Sequence, residues 1–69
     1  MTREEIVKAF RKIRIEAGLT QIQLSKKMMT SQSRVSFFES GAYTPSLDWL
    51  VRYAFSCGKT LHISFEEKL

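Results

Sequence analysis

Two short helix signals follow each other almost without a gap, and this spacing constrains the fold of the chain more than any other feature. Thr20 and Gln23 have the spacing of a capping box, and Leu24 and Met28 then recur at helical spacing. A second short helix is predicted over Ser31–Ser40. Because so few residues separate the two helices, the chain must turn sharply between them. This is the helix-turn-helix layout.

Helices are also predicted on both sides of this pair. The first begins after Thr2, which has Glu5 at capping-box spacing, and it ends at Gly18. The other begins after Ser46 and ends at Gly58. Apolar residues recur along both segments at the spacing of a buried helix face. The residues predicted to face inward are Ile6, Val7, Phe10, Ile13, Ala17, Leu47, Leu50, Val51 and Ala54.

The last segment has a different periodicity, because apolar and polar residues alternate there. Leu61, Ile63 and Phe65 are separated by polar residues, which is the pattern of a strand. A single strand leaves its backbone donors and acceptors unpaired, and the same strand from a second copy would pair them. The sequence therefore predicts a dimerisation strand at about residues 60–66, formed by these three residues. The alternative is a tail that lies on the core as extended coil.

Length and composition fit one compact domain. The chain has 69 residues, of which 43% are hydrophobic and 26% are charged. Cys57 is the single cysteine, so no internal disulfide can form, and it is interpreted as a small buried hydrophobe in a cytoplasmic protein. The formal net charge of +4 favours polyanionic partners. No apolar run is long enough for a membrane span, and the first residues do not resemble a signal peptide.

The sequence contains no pattern of catalytic residues, and we expect no enzyme activity and no cofactor. His62 and Cys57 cannot supply a metal site by themselves, and no glycine-rich phosphate loop occurs. Trp49, Tyr53 and Phe55 recur at helical spacing. They are interpreted as core or dimer surface.

The outward face of the second helix of the pair is polar and nearly uncharged. Gln32, Ser33, Ser36 and Phe37 lie on this face, with Arg34 to one side. Glutamine can form two hydrogen bonds with adenine, serine can reach several base edges, and an apolar group can contact the thymine methyl. The pattern therefore predicts a helix that reads bases in the major groove of DNA.

The run LTQIQLSKKMMTSQSRVSFFESGAYTPSL resembles the Cro/lambda-repressor-like helix-turn-helix family, also called the Xre family. The resemblance implies a mainly α, four- to five-helix DNA-binding domain over residues 1–69, with the helix-turn-helix at about 20–40. It implies that Gln21 holds a phosphate at the N-terminus of its helix and that Gln32, Ser33, Ser36 and Phe37 face bases. The residues that it assigns to backbone phosphates are Arg34, Tyr43 and Thr44. It also implies a structural ion pair between Arg14 and Glu39.

Several residues depart from the family pattern. Met29 stands where the turn usually has glycine, and a left-handed backbone there would cost about 1 kcal/mol, so a different turn is one outcome. Phe37 replaces a polar residue and is expected either to contact a methyl group or to pack against a neighbour. Ile15 and Ile22 stand at positions that are usually polar, either as isolated exposed residues or as a protein contact.

The end of the chain, PSLDWLVRYAFSCGKTLHISFEE, resembles the tail of HigA-type and HipB-type antitoxins. In those proteins a turn leads into a short strand that joins the partner subunit. The resemblance implies a homodimeric repressor that binds an inverted repeat in double-stranded DNA and also binds a toxin protein. The alternative is a phage or restriction-modification controller without a toxin partner.

Overall fold

The computed structural model describes residues 1–68, and this part of the chain folds into four helices. They are α1 (Arg3–Glu16), α2 (Gln21–Met28), α3 (Gln32–Glu39) and α4 (Leu47–Ser56). Helix α3 packs against α1 and α2, and α4 closes the other side against the same two helices. The mainly helical prediction is confirmed with four helices. No strand forms among residues 1–68.

Each helix begins where a side-chain oxygen can accept a hydrogen bond from an exposed backbone amide. Both predicted capping boxes form: Thr2 accepts from the Glu5 amide, and Thr20 accepts from the Gln23 amide. Ser31 caps α3 and Ser46 caps α4 in the same way. The caps set the short α2–α3 connection, because one helix ends at Met28 and the next begins at Gln32.

Met29 adopts the left-handed backbone conformation that the turn requires, with φ 56° and ψ 43°. Its amide donates to the carbonyl oxygens of Ser25 and Lys26, and the Thr30 amide donates to the Ser25 oxygen at 3.0 Å. These bonds satisfy carbonyls at the end of α2. The turn therefore has the left-handed backbone that glycine usually adopts, although Met29 occupies the position. The steric cost of this conformation lowers the stability of the folded protein.

Met29→Gly should raise the free energy of unfolding by about 1 kcal/mol, because glycine adopts this conformation without steric cost. The Met29 side chain is 90% exposed, so its removal sacrifices almost no packing. Met29→Ala is the matched control, since it removes the same contacts and keeps the Cβ. Chemical denaturation of the three proteins checks this. Equal stability of the glycine and alanine variants would contradict a strained turn.

The core is built around aromatic rings in edge-to-face contact. The Phe38 ring lies 5.7 Å from the Phe10 ring, 5.2 Å from the Trp49 ring and 5.7 Å from the Tyr53 ring. Apolar side chains from all four helices complete the core. The buried apolar residues are Val7, Phe10, Leu24, Met28, Val35, Phe38, Trp49, Tyr53, Ala54 and Cys57. The predicted burial of Cys57 is confirmed.

The predicted inward face of α4 was partly wrong. Leu47 and Val51 are 59% and 46% exposed, whereas Trp49 and Tyr53 are buried. The helix turns its aromatic side toward the core because these rings bury more area and their polar atoms find partners. The Trp49 indole N–H donates to Thr30 Oγ1 at 3.2 Å.

Two more predicted positions need correction. Ala17 follows the end of α1 and is exposed, so it does not belong to the apolar stripe of that helix. Phe55 is 80% exposed and is not part of the core. Of the two interpretations of Phe55, core or dimer surface, only a position on the surface fits the structure.

The chain after Gly58 forms no helix or strand within residues 1–68, and residues 59–64 lie beside residues of α1 and α4. Leu61 is half-buried against the core, whereas Ile63 and Phe65 are 58% and 94% exposed. Within residues 1–68, no backbone hydrogen bond involves residues 60–68. This single copy matches the extended-coil alternative, and pairing with a second copy stays a prediction.

Candidate nucleic-acid interface

The outward face of α3 presents a small set of side chains that make no internal hydrogen bonds among the described residues. Gln32 and Ser33 are exposed, Phe37 is 54% exposed, and Ser36 is half-buried. The opposite face is fixed in the core by Val35 and Phe38, which are 0% and 3% exposed. A rigid helix therefore carries side chains that are free to bind a ligand.

Behind this face, Glu39 at the end of α3 joins all four helices. Arg14 from α1 donates from Nε to Glu39 Oε2 and from Nη2 to Oε1, each at 2.8 Å. The Tyr53 hydroxyl from α4 donates to Oε2 at 2.7 Å, and the Gln21 amide from α2 donates to Oε1 at 3.3 Å. The remaining Arg14 nitrogen, Nη1, donates to the Leu19 carbonyl oxygen at 2.8 Å. The predicted Arg14–Glu39 pair is confirmed.

The hydrogen bonds decide the charge states in this cluster. Burial would raise the pKa of Glu39, but the hydrogen bonds from Arg14, Tyr53 and Gln21 outweigh it and hold the pKa below its usual value. Burial and the neighbouring Glu39 carboxylate hold the pKa of Tyr53 far above its usual value. Tyr53 is therefore a neutral donor and Glu39 a charged acceptor. The contact between Tyr53 and Glu39 was missed by sequence reasoning, since the spacing gave no signal for it.

Gln21 occupies the first position of α2, where backbone amides point out of the helix. Its side-chain amide donates to Glu39, and this contact orients the side chain against the end of α3. The backbone amide of Gln21 makes no backbone hydrogen bond within residues 1–68. Such an amide at a helix N-terminus can bind an anionic oxygen. The phosphate role of Gln21 stays a prediction.

Arg34 and the loop after α3 form a stacked group beside the outward face. The Arg34 Cζ lies 5.8 Å from the centre of the Tyr43 ring, within the range of a cation–π interaction. The Tyr43 ring in turn packs edge-on against Trp49, with ring centres 5.7 Å apart. Tyr43 is half-buried and the neighbouring Thr44 is exposed. The guanidinium is therefore held near one edge of α3.

Comparison with known proteins identifies the family. A sequence model described as helix-turn-helix matches residues 10–63, which span α1 to the extended tail. The chain belongs to the helix-turn-helix family. No curated protein and no solved structure showed significant similarity to the chain.

Membership in the helix-turn-helix family confirms the broad Xre/lambda-repressor-like assignment and makes the chain a DNA-binding transcription regulator. In helix-turn-helix proteins the second helix of the pair enters the major groove, and α3 holds that position in this chain. The structure brings Gln32, Ser33, Ser36 and Phe37 to one face of α3. Their individual contacts with DNA stay predictions.

Within residues 1–68, no three His, Cys, Asp or Glu side chains lie together as a metal site would require. None of the helices described is long and apolar enough to cross a membrane. Burial raises the pKa of the Cys57 thiol, which makes it a weak nucleophile.

Tyr43→Leu should weaken DNA binding about 2- to 5-fold, because it removes the ring that holds Arg34. Tyr43→Phe keeps the ring and should bind DNA like the parent. A fluorescence anisotropy titration measures the DNA affinity of both variants. Thermal unfolding checks that the weaker binding does not come from lost stability when the ring contact with Trp49 is removed. If Tyr43→Phe is as weak as Tyr43→Leu, the hydroxyl contacts the phosphate, as the family resemblance implies.

Proposed function

We propose that this protein is a transcriptional repressor that binds an inverted-repeat operator as a homodimer in the cytoplasm. The proposal rests mainly on α3, whose nearly uncharged polar face is exposed on a helix that the core holds rigidly. Each subunit would place α3 in a major groove. A two-fold dimer would then contact half-sites about one helical turn, or roughly 34 Å, apart.

In this complex, base reading and phosphate binding are separate tasks. Gln32 and Ser33 at the exposed start of α3 would reach base edges, and Phe37 would contact a thymine methyl. The phosphates would be held at the two ends of this face. The groups assigned to them are the α2 N-terminus at Gln21, Arg34 beside Tyr43, and Thr44.

A titration with the DNA upstream of the protein's own gene tests the repressor proposal. Specific binding predicts a dissociation constant at least about 10³-fold lower for the operator than for a scrambled duplex of the same length. Affinity should fall linearly with salt on a double-logarithmic plot, because phosphate contacts release counterions. Salt-independent binding, or equal binding to both duplexes, would overturn the proposal.

Gln32→Ala should cost about 1–3 kcal/mol of operator binding and relax the base preference at one position of each half-site. Gln32 is exposed at the first position of α3, so truncation of its side chain should leave stability nearly unchanged. Binding to a set of operators with single base changes measures the preference. An equal loss on every duplex would instead assign Gln32 to the DNA backbone.

A toxin-binding function is a second candidate, and an apolar surface away from α3 favours it. Met29 and Phe55 are 90% and 80% exposed, and Val51, one helical turn before Phe55 on α4, is 46% exposed. Met29 and Phe55 line one shallow hollow with Lys27 and Arg52. Apolar surface with a polar rim is typical of a protein contact. This would fit the HigA/HipB-type resemblance of the tail.

Co-expression with the product of the adjacent gene tests this second function. An antitoxin should co-purify with that product and suppress its toxicity, and Phe55→Glu should weaken both effects without changing operator binding. Phe37→Glu is the opposite control, since it should impair only DNA binding. An adjacent restriction enzyme or phage gene, with no complex formed, would favour a controller without a toxin partner.

A further inference from the structure

The tail after α4 combines unpaired backbone with an apolar face that its own subunit does not cover. The Lys59 amide donates to the Ala54 carbonyl oxygen at 2.9 Å, and within residues 1–68 no later backbone group is bonded. Exposure of the apolar residues rises along the tail. Leu61 is half-buried, Ile63 is 58% exposed and Phe65 is 94% exposed. Towards its end, the tail therefore lacks both hydrogen-bond partners and apolar cover.

We propose that the tails of two copies pair as an antiparallel ribbon in one specific register, with Ile63 facing Ile63 of the partner subunit. This proposal rests on the homodimer proposed above and specifies its contact. In an antiparallel pair, residues directly opposite point to the same face of the ribbon. This register places Leu61 opposite Phe65 of the partner subunit, so every apolar residue of the tail faces another apolar residue.

Charge complementarity selects the same register. When Ile63 faces its own copy, Lys59 lies opposite Glu67 of the partner subunit. The two-fold axis creates this pair twice, once at each end of the ribbon. Opposite charges that face each other across strands stabilise the pairing. The basic start of the tail and its acidic end therefore complement each other only when the two copies run antiparallel.

The two neighbouring registers that keep the apolar residues on one face are less favourable. If His62 faces itself, Lys59 lies opposite Phe65 of the partner subunit and loses its carboxylate partner. If Ser64 faces itself, Glu67 of the partner subunit lies opposite Leu61, where the ribbon meets the core. Each alternative places a charge against an apolar side chain. A slip by a single residue would instead mix polar and apolar residues on both faces.

The surface beside Leu61 offers space for the partner's aromatic ring. A hollow of about 310 Å³ lies next to Leu61, between α1 and the start of the tail. Its lining residues are Ala9, Phe10, Ile13, Ala54, Lys59, Thr60, Leu61 and His62. The residues of the tail that line it are those that the proposed register pairs with the partner's end. Phe65 of the partner subunit, opposite Leu61, would cover this hollow.

Cross-linking through one introduced cysteine tests the register. Ile63→Cys, His62→Cys and Ser64→Cys each place a thiol on the two-fold axis of one of the three registers. In a glutathione redox buffer, Ile63→Cys should form a covalent dimer at least about 10-fold more readily than the other two variants, because a disulfide needs closely spaced Cβ atoms. The parent protein is the control, since its Cys57 is buried.

Exchange of the charges at Lys59 and Glu67 tests the same register independently. Lys59→Glu and Glu67→Lys should each raise the dimer dissociation constant roughly 3- to 30-fold, because two opposite-charge pairs become like-charge pairs. The double variant should return to within about 3-fold of the parent. Lys59→Glu combined with Glu66→Lys is the matched control and should not recover. Sedimentation velocity measures all of these proteins.

The outcomes separate the register from the homodimer itself. Preferred cross-linking of Ile63→Cys together with recovery in the charge exchange supports the proposed register. A dimer that cross-links best through His62→Cys or Ser64→Cys, or equally through all three, overturns the register but keeps the homodimer. A parent protein that sediments as a monomer at all concentrations, both free and on operator DNA, overturns both proposals.

Discussion

Glu39→Gln is expected to lower the free energy of unfolding by about 3–5 kcal/mol, the cost of removing one partner from a buried ion pair. The Glu39 and Arg14 side chains are 4% and 10% exposed. The substitution keeps the shape of the residue but leaves the Arg14 charge buried without a counterion. A chain of 69 residues has a total stability of about 3–10 kcal/mol, so much of the variant should be unfolded at 37 °C.

Two further variants test whether the stability loss comes from the unpaired buried charge of Arg14 and not merely from the removal of a negative charge. Glu4→Gln breaks an exposed pair with Lys8, whose side chains are 79% and 75% exposed, and should cost less than about 0.5 kcal/mol. Replacing both Arg14 and Glu39 with methionine should recover much of the stability, because no buried charge then remains. Urea denaturation measures all of these proteins. A cost for Glu39→Gln close to that of Glu4→Gln would show that the pair is not effectively buried.

The same ion pair should make stability depend on pH in the acidic range. Because the folded protein holds the pKa of Glu39 below its usual value, the unfolded chain binds the proton first as the pH falls. The stabilisation is therefore complete above about pH 5 and declines as the pH drops through about 4.3 towards the lower folded value. The stability difference between the parent and Glu39→Gln should be constant near neutral pH and shrink below this point. A constant difference down to pH 2 would contradict it.

Removal of residues 63–69 should lower operator affinity about 10²- to 10⁴-fold, the usual gain from linking two binding units. The truncated chain keeps Leu61 against the core but loses Ile63 and Phe65, which are mostly exposed in the single copy. The DNA-binding helices should therefore remain folded while the dimer dissociates. Anisotropy titrations with the full operator and with one half-site measure the loss.

The half-site titration is the internal control for this truncation. Binding to one half-site and the thermal unfolding temperature at low protein concentration should both stay close to the parent values. A truncated protein that still sediments as a dimer would place the interface elsewhere on the molecule. A truncated protein that loses half-site binding as well would show that the tail stabilises the recognition helix.

The helix boundaries and the family could be predicted from the sequence because they depend on local chemistry. Thr20 and Ser31 act through hydrogen bonds to amides three residues away, and such short-range contacts need no knowledge of the rest of the fold. The polar pattern at Gln32 and Ser33 is likewise local to one turn of α3. The exposed polar face was therefore predicted together with the helix that carries it, and its role in base reading stays a prediction.

Only the tertiary structure decided which side of α4 is buried. The segment has apolar residues on several sides, so its periodicity fits more than one inward face. The choice fell on Trp49 and Tyr53 because their rings fill the space around Phe38 and their polar ends reach Thr30 and Glu39. These partners come from distant parts of the chain, so no local sequence pattern predicts them.

For the turn between α2 and α3, the sequence determined the position and the tertiary structure determined the backbone conformation. The sequence determined that a sharp turn lies between Met28 and Gln32, because both helices have clear ends. It did not determine that Met29 would accept the left-handed conformation in place of glycine. That choice follows from packing, since burial of Leu24, Met28 and Val35 against one core fixes the angle between the helices. The free energy gained in the core exceeds the roughly 1 kcal/mol of backbone strain that the turn stores.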